Sequence, residues 1–442
     1  MIYKRIILTV FVFALVAAPA EAFAAKALSV DIYGPGQNKI NVVFAEPKGL
    51  GLDGSIPQSA GEFTGLVSEN LGLLPFLNVM DQEEILGGAA AEGVTAEDID
   101  FRRFSVSKAD LVVTAGWRAE GGRPSGLEVR AYDVFSRRLL VGKAYSKLSE
   151  ENLPNVADLF SAAVMEALTG RGEFFRSRLA FSRTEPGGAR EIWVSGPQGR
   201  DPQRVTSLGG SSISPSWSSD GRYIAFAHHS SHTHTLGMWD SREDRVFRVN
   251  LPGTTISGTA FMPDNRVVVA LSRGNMEIFM LTKDLTRIAQ TVVKSWAIDV
   301  SPSFDSEGRR MAFVSDRHGN PNVYVKDLES NETRRVTYEG KYNTSPSISA
   351  DGKMVAFSRL TPYGHRIYVQ NLNTGKERQV TFGPGNDEEP AFSPDGYFIV
   401  FASNRTGEYK LYLTTIHGAE PKMISVGEGK ITHPAFGPLH DQ

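Results

Sequence analysis

Short stretches in which apolar and polar residues alternate recur through the C-terminal part of the chain. Each stretch follows an acidic residue and a Gly or Asn, and an apolar or aromatic residue precedes that pair. Alternation of this kind has the two-residue period of a half-buried β-strand and lacks the 3.6-residue period of helix-pair repeats. The acidic positions follow one another at intervals of 43 or 44 residues, at Asp220, Asp264, Glu307, Asp351 and Asp395.

Each repeat unit has the size of one β-propeller blade. Its Ser-x-Asp-Gly segment predicts a tight turn, because Asp accepts hydrogen bonds from nearby backbone N–H groups and Gly tolerates a positive φ. In the first complete unit this turn joins an inner strand at 216–218 to a second strand at 223–227. Third strands are predicted at 323–326, 366–370 and 410–414, and fourth strands at 335–337 and 379–381. Four short strands in about 44 residues are typical of a propeller blade.

The chain contains five complete units and one that is split between distant segments. Residues 433–436 match the start of a unit, and then the chain stops. The remaining strands of that unit are predicted at 178–182, 191–195 and 204–206. We therefore predict a six-bladed β-propeller in which the C-terminal strand pairs into a blade built from residues 177–208, so that the ring has no open edge.

The residues before the propeller show no such repeat and predict a small α/β domain. Strands are predicted at 28–32, 40–44, 111–118, 127–133 and 139–146, and amphipathic helices at 59–74 and 155–168. Gly170 is a suitable stop for the second helix. The predicted fold class is therefore multidomain, with an N-terminal α/β domain at 25–170 followed by the propeller at 171–442.

The N-terminus has the layout of a secretory signal peptide. Lys4 and Arg5 precede a run of apolar and small residues at 6–18, and alanines at positions 20, 22 and 24 follow. A run of this length is shorter than the roughly 20 residues that a membrane span needs. We predict that residues 1–24 are a signal peptide, cleaved after Ala22 or Ala24. The mature protein would then be exported, without a membrane span.

Composition excludes several classes of site. The chain has 47 basic and 50 acidic residues, and a net charge of −3 argues against nucleic acid or an anionic membrane as the main partner. It has no Cys, which excludes disulfides, thiolate nucleophiles and Cys-ligated metals. The motifs of α/β-hydrolases, zinc proteases and P-loop proteins are missing from the sequence. We expect no enzyme activity, no metal and no cofactor, and a monomer.

Two local motifs have a chemical and a structural interpretation. Gly49, Gly51 and Gly54 have the spacing of a dinucleotide fingerprint, but Pro57 and a polar loop follow in place of a helix. We interpret them as a flexible loop. Histidines at positions 228, 229, 232 and 234 could hold a transition metal, but no carboxylate or Cys is near enough to complete the set. We interpret this segment as a polar surface loop between the second and third strands of a blade.

Two further patterns fall near the predicted mouth of the propeller channel. An acidic run at 387–389 precedes an inner strand, where it could bind a cation or a basic partner, or form a solvated loop. Ser and Arg recur together at the end of the second strand, which favours a structural role, with ligand contact by some arginines as the alternative. These pairs are Ser182/Arg183, Ser272/Arg273, Ser315/Arg317, Ser358/Arg359 and Ser403/Arg405.

Taken together, the signal peptide, the α/β domain, the junction LTGRGEFFRSRLAF at 168–181 and the units of the form SPSWSxDG resemble the TolB family along the whole mature chain. This resemblance implies a periplasmic protein of the Tol-Pal system. It implies binding of the lipoprotein Pal at the propeller face around the channel mouth, and of TolA through the mature N-terminal segment. It also implies a role in outer-membrane integrity and in invagination during cell division. Thr259 replaces the usual Pro and Asn265 the usual Gly in one unit, which puts individual contacts in doubt.

The resemblance assigns partner-binding roles to two sets of residues in this sequence. The loops that lead into the inner strands should converge at one end of the channel, where binding residues tend to lie. The predicted mouth residues are Ser212, Ser214, Thr255, Gly258, Asp299, Val300, Asn343, Thr344, Asp387, Glu388, Glu389 and His433. The predicted TolA-binding residues are Ala27, Leu28, Ser29, Val30, Asp31, Ile32 and Tyr33.

Two other functions remain open from the residues alone. The first is an exported propeller that binds a sugar or a cation at the acidic mouth. The second is a hydrolase or lyase with its site in the channel. The second would need a convergent acid/base pair, and the sequence identifies none.

Overall fold

The computed structural model describes residues 38–86, 93–231 and 233–439. The predicted signal peptide, the predicted strand at 28–32 and the predicted TolA-binding residues 27–33 lie outside the described residues. Among the described residues, no helix combines the length and the apolar character needed to cross a membrane.

The N-terminal part is an α/β unit built on one mixed sheet. Its strands are β1 (Ile40–Phe44), β2 (Lys48–Gly49), β3 (Leu77–Val79), β4 (Leu111–Glu120), β5 (Arg123–Asp133) and β6 (Arg138–Ser146). They lie in the order β3-β1-β4-β5-β6, and β2 pairs with β4. Its helices are α1 (Ala60–Leu73), α2 (Phe101–Val106) and α3 (Leu153–Thr169).

The two faces of this sheet bury different side chains. Val42 and Trp117 share a core cluster with residues of α1 and α3, whereas Val43 shares one with Phe101 and Phe104 of α2. Alternate residues of β1 thus serve opposite cores, as the two-residue period requires. Gly170 caps α3 with a φ of +74°, which confirms the predicted stop. The short β2, β3 and α2 were not predicted, because elements of two to six residues contain too few positions to show a period.

The propeller follows, and its units have four strands each. The first contributes β7 (Leu179–Thr184), β8 (Arg190–Ser195) and β9 (Gln203–Arg204). The second has β10 (Ser211–Trp217), β11 (Tyr223–His229), β12 (His234–Asp240) and β13 (Arg245–Val249). The third has β14 (Ile256–Phe261), β15 (Val267–Ser272), β16 (Met276–Leu281) and β17 (Ile288–Val293).

The remaining units repeat this arrangement. The fourth has β18 (Asp299–Phe304), β19 (Arg310–Ser315), β20 (Asn322–Asp327) and β21 (Thr333–Arg335). The fifth has β22 (Asn343–Ile348), β23 (Met354–Thr361), β24 (Gly364–Asn371) and β25 (Glu377–Gln379). The sixth has β26 (Asp387–Phe392), β27 (Phe398–Ser403), β28 (Lys410–Thr415) and β29 (Lys422–Ile424). The last strand, β30 (Ile431–Phe436), pairs antiparallel with β7 and supplies the inner strand of the first blade.

The turn between the first and second strands has the predicted chemistry. The hydroxyl of Ser218 donates to Asp220 Oδ1 (2.6 Å), and that of Ser349 donates to Asp351 Oδ1 (2.7 Å). The following glycines take a positive φ, for example +69° at Gly221. Asn265 replaces Gly in the third blade and adopts the same left-handed region, with a φ of +63°. Asn tolerates this region better than other non-glycine residues, so the turn survives the substitution.

The N-terminal unit packs against the end of the propeller that carries these turns. Arg171 Nη1 donates to the carbonyl of Asp395 (2.6 Å), and the backbone N–H of Phe174 donates to Asp395 Oδ2 (3.2 Å). The ring of Phe174 lies 4.8 Å from that of Phe398, between ring centroids. One core cluster therefore runs from the α/β sheet into the sixth and first blades. The contacts of the described N-terminal unit with the propeller lie at this turn end and not at the other end, where the inner strands begin.

Candidate functional site

Five of the six inner strands contain a strained bulge at their third or fourth residue. The residues concerned have a φ between 51° and 55° and are each followed by Pro; they are Ser214, Ser301, Ser345, Glu389 and His433. A non-glycine residue in this region costs on the order of 1 kcal/mol, so repeated use indicates a geometry that the fold maintains. The register of each of these strands shifts at the bulge, for example between Glu388 and Ala391. In the third blade Gly258 keeps a negative φ, and the shift lies between Ile256 and Gly258.

These bulges line the mouth of the central channel. They surround a cavity of about 240 Å³ that is also lined by the prolines that follow them. Around the ring, the bulge positions are Ser214, Gly258, Ser301, Ser345, Glu389 and His433. The two ionisable residues lie next to each other, on the sixth and first blades, and the other four positions are small. The mouth therefore has one charged side and one small, neutral side.

Glu389 and His433 form a hydrogen-bonded pair at this ring. His433 Nε2 lies 3.1 Å from Glu389 Oε1, and the backbone N–H of His433 donates to the other carboxylate oxygen (2.5 Å). Burial lowers the pKa of His433, although Glu389 acts in the opposite direction. A neutral imidazole fits both of its contacts when Nε2 carries the proton, because Nδ1 then accepts from the hydroxyl of Thr432 (2.9 Å).

Glu388 extends the acidic side of the mouth toward the fifth blade. The hydroxyl of Tyr409 donates to Glu388 Oε2, and His365 Nε2 lies 3.9 Å from Glu388 Oε1. Burial raises the pKa of Tyr409 well above its ordinary value, and the hydrogen bond to Glu388 acts in the same direction. Tyr409 is therefore a fixed hydrogen-bond donor that holds Glu388 at the mouth.

Four of the predicted mouth residues are buried and have partners inside the protein. Arg317 Nη2 donates to Asp299 Oδ1 (2.9 Å), and Arg405 Nη2 donates to Asp387 Oδ1 (2.8 Å). Arg359 Nε donates in the same way to Asn343 Oδ1 (2.7 Å). The predicted structural role of the Ser/Arg pairs is therefore confirmed in three blades, where the Arg anchors the first residue of the inner strand. Ser212, at the equivalent position of the second blade, contacts the imidazole of His228.

The other predicted mouth residues lie at or beside the ring. Ser214, Gly258, Glu389 and His433 line the cavity itself. Thr255, Val300, Thr344 and Glu388 flank it at half-buried positions. Ser301 and Ser345 also line the cavity and were missed, although the recurrence of Ser-Pro at the start of three units is a signal that could have found them.

The glycine motif runs from the end of β2 into an exposed turn at 51–54, and the next helix begins only at Ala60. Gly49 pairs with Trp117 in the sheet, and the turn that follows comes back over it. A Cβ atom at Gly49 would lie 2.2 Å from the carbonyl oxygen of Gly54. Gly49 is therefore required by this close approach of backbone to backbone, whereas Gly54 is favoured by its positive φ of +61°.

The prediction that the histidine-rich segment is a surface loop was wrong for three of its residues. His228 and His229 belong to β11 and His234 to β12, because the two strands pair as far as His229 and His234. His228 is buried, and Nε2 of His229 lies 2.6 Å from the carbonyl oxygen of Ile256. Within the described ranges, which omit His232, no group of three or more His, Asp or Glu side chains is placed to hold a metal ion.

Comparison with known proteins gives a consistent result. A family model described as the TolB beta propeller domain matches residues 165–440. The Tol-Pal system protein TolB of Nitratidesulfovibrio vulgaris is 45% identical over 297 residues, which are 67% of each chain. A protein TolB homolog of Chlorobium luteolum is 29% identical over 317 residues, covering 72% of this chain and 71% of that protein. The crystal structure of TolB from Acinetobacter baumannii superposes with a TM-score of 0.76 over 92% of this chain and 99% of that one. At 19% identity, this last comparison shows the shared fold.

Proposed function

This chain belongs to the TolB β-propeller family, and we propose that it is the periplasmic propeller component of a Tol-Pal system. In this proposal it acts by binding other proteins, and its similarity to propeller proteins of Tol-Pal systems supports that role. Its partners are the lipoprotein Pal, bound at the channel mouth, and TolA, bound by the mature N-terminal segment. Both interactions would support outer-membrane integrity and its invagination during cell division.

The observation that carries the Pal part of the proposal is the position of the channel mouth, at the end of the propeller opposite to the described N-terminal unit. The N-terminal unit packs on the opposite end of the propeller, through Arg171 and Phe174. The mouth thus lies next to inner strands whose first residues, Asp299 and Asp387, are anchored by half-buried arginines. A rigid surface of this kind loses little conformational entropy on binding.

The predicted mouth residues take two roles in this proposal. Those at or beside the ring contact the partner: Ser214, Thr255, Gly258, Val300, Thr344, Glu388, Glu389 and His433. The buried ones hold the loops in position: Ser212, Asp299, Asn343 and Asp387.

Titration calorimetry of residues 25–442 with the soluble domain of Pal from the same organism tests the Pal part. Wild-type chain should bind, and Glu389→Arg and Val300→Glu should each weaken the affinity. Glu307→Arg is the matched control, because Glu307 is exposed at the opposite end of the propeller and pairs only with the equally exposed Arg309. The assignment of Pal to the mouth would be contradicted if wild-type chain gave no binding heat with Pal. It would also be contradicted if wild type and the three variants bound Pal with equal affinity.

The TolA part rests on the family resemblance and on residues 27–33. Deletion of these residues from the mature chain should abolish binding to TolA and leave binding of Pal intact. Retained TolA binding would refute this assignment.

We also propose the export route and the domain boundaries. Residues 1–24 would be removed as a signal peptide, residues 25–170 and 171–442 would form the two domains, and the mature protein would be a monomer. N-terminal sequencing of protein from the periplasmic fraction should begin at residue 23 or 25. Limited proteolysis should cut near residue 170, and sedimentation should give the mass of one chain.

A further inference from the structure

Large exposed apolar side chains of the propeller concentrate on one side of the channel mouth. Trp296 is 79% exposed, Tyr338 is 71% exposed and Tyr363 is 84% exposed. They belong to a set that we name the aromatic rim: Trp296, Ile298, Tyr338, Tyr342, Tyr363 and Phe382. All six lie in loops at the mouth end of the fourth, fifth and sixth blades. Among the residues that the structure describes, the corresponding loops of the first three blades expose no large apolar side chain.

A buried arginine holds two parts of this rim together. Arg366 is 3% exposed, and its guanidinium donates to four backbone carbonyls. Nη2 reaches the carbonyl of Tyr363 (2.7 Å), and Nη1 reaches that of Gly385 (2.6 Å). The loop that carries Tyr363 is thus fastened to the loop that carries Phe382, across the boundary between the fifth and sixth blades.

The other aromatic side chains are also on anchored loops. The guanidinium of Arg335 lies 5.1 Å from the ring centroid of Tyr338 and donates to Asn322 Oδ1 (3.1 Å). In the loop that leads into the fourth blade, the carbonyl of Ala297, directly after Trp296, accepts from the side chain of Asn275 of the third blade (2.8 Å). These aromatic groups are therefore exposed and preorganised, which is the combination expected of residues that anchor a protein partner.

The charges beside the rim restrict the chemistry of that partner. Tyr342 contacts the imidazole of His365 edge-on, at 6.1 Å between ring centroids, and His365 in turn lies beside Glu388. The rim is thus continuous with the two carboxylates, Glu388 and Glu389, that face the channel. The side chains of both are about a quarter to a third exposed. A complementary surface has an apolar patch with a basic side chain next to it.

We infer that the aromatic rim supplies most of the binding energy for the protein partner at the mouth. We also infer that Glu388 and Glu389 select a basic side chain beside the partner's apolar patch. This inference rests on the proposed function and adds to it an asymmetric interface, in which the fourth to sixth blades dominate and the small, neutral side of the ring contributes little.

The test uses the mature chain and the soluble domain of Pal in calorimetric titrations. Trp296→Ala and Tyr363→Ala should each raise the dissociation constant for Pal by about tenfold or more, as truncation of an interface anchor does. Phe135→Ala is the matched control, because Phe135 is 89% exposed in the N-terminal unit, far from the mouth in the fold. Unchanged melting temperatures of all three variants would show that loss of affinity is not loss of folding. Glu388→Gln keeps an acceptor for Tyr409 and should reduce the salt dependence of binding.

The outcomes separate this inference from the function on which it rests. If wild-type chain fails to bind Pal, the proposed function and the inference both fail. If wild-type chain binds and the two rim variants bind equally well, the inference alone is overturned. Wild-type binding to vesicles of phosphatidylethanolamine and phosphatidylglycerol that Trp296→Ala abolishes, with unchanged Pal affinity, would assign the rim to a lipid surface and also overturn it.

Discussion

At the level of single residues, buried acids paired with half-buried arginines hold the starts of the inner strands at the mouth. Asp387 is fully buried at the start of β26, and its Oδ1 accepts from both Arg405 and Ser403. A buried carboxylate is costly unless it is paired and hydrogen-bonded, so the pair fixes the backbone at one conformation. Glu388 and Glu389 follow directly in the chain, and their position at the channel depends on this anchor.

Arg405→Met should lower the free energy of unfolding of the propeller by more than the Arg405–Asp387 contact itself contributes. It would leave Asp387 buried with Ser403 as its remaining side-chain donor, and a broken buried pair costs about 3 kcal/mol or more. Chemical denaturation should show this loss in the free energy of unfolding. Arg309→Met is the control, because the Arg309–Glu307 pair is exposed on both sides and should contribute less than about 1 kcal/mol. Similar losses in both variants would contradict the assigned role of Asp387.

A second pair, between buried Asp240 and half-buried Arg222, gives a prediction about pH. Arg222 donates from Nε and Nη2 to the carboxylate of Asp240, and this hydrogen bonding lowers the pKa of Asp240 from 3.8 to about 2. A carboxyl with a lowered pKa in the folded state stabilises the protein above its unfolded pKa, and that stability is lost as the pH falls through the folded pKa. Asp240→Asn should therefore cost a constant free energy above about pH 4, and the cost should shrink between pH 4 and pH 2.

Denaturation at several pH values checks this behaviour. Asp264→Asn, which removes an exposed acid of the next blade, reports the general effect of losing one negative charge. A difference between wild type and Asp240→Asn that stays constant down to pH 2 would show that the pair does not hold the pKa low.

Residue types predicted part of the site. The other features of the site depend on burial in the folded protein, which residue types alone do not determine. The recurrence of Ser and Arg indicated a structural role, and the convergence of loops indicated the mouth. The sequence did not indicate that Asp299 and Asp387 would be buried, because burial depends on the neighbouring strand and blade. It gave no reason to single out Trp296 or Tyr363, since an isolated aromatic in a loop has no periodic partner to mark it as exposed or buried.

At the level of elements, the repeat made the propeller predictable from the sequence. Each unit has the same turn and the same strand spacing, so one uncertain strand is corrected by its equivalents in the other units. The N-terminal unit has no internal repeat, and there the two-residue β2 and the six-residue α2 escaped prediction. The register of a short strand depends on its neighbours in the sheet, which only the folded structure supplies.

The strand β30 makes a prediction about closure of the ring. It pairs with β7 from Ile431 to Phe436, and Ile431 is fully buried. Truncation after Lys430 would remove the inner strand of the first blade and expose the edges of β7 and of the neighbouring blades. We expect a large fall in the melting temperature, or aggregation through the open edges.

Truncation after Leu439 is the control for this experiment. It removes only residues 440–442 and leaves β30 intact. Thermal melts followed by circular dichroism compare the two truncated chains with the full one. A chain ending at Lys430 that melts like the full chain would show that β30 is dispensable for closure.

At the level of the whole molecule, a buried polar cluster joins the two parts of the chain. Asp158 of α3 accepts hydrogen bonds from Asn70 (2.8 Å), from Gln198 (3.2 Å) and from Arg200 Nη1 (2.9 Å). Arg200 Nη2 also donates to Asn70 Oδ1 (3.0 Å), which connects the first blade to α1. Burial raises the pKa of Asp158, and Arg200 opposes that shift. The interface is thus held by an arginine that compensates a desolvated carboxylate.

Arg200→Ala should weaken the docking of the N-terminal unit by about 2 kcal/mol, because it leaves the carboxylate of Asp158 without its cation in a mostly buried site. Differential scanning calorimetry should show an earlier or separate transition of the N-terminal unit. Removal of Arg200 leaves burial opposed only by the hydrogen bonds from Asn70 and Gln198. Protonation of Asp158 should therefore relieve the loss, and the difference from wild type should shrink as the pH falls. Arg204→Ala, at a nearby exposed position, should change neither transition.

Because the cluster lies at the turn end of the propeller, Arg200→Ala should leave Pal affinity unchanged. A parallel loss of Pal binding would show instead that domain docking and the channel mouth are energetically coupled.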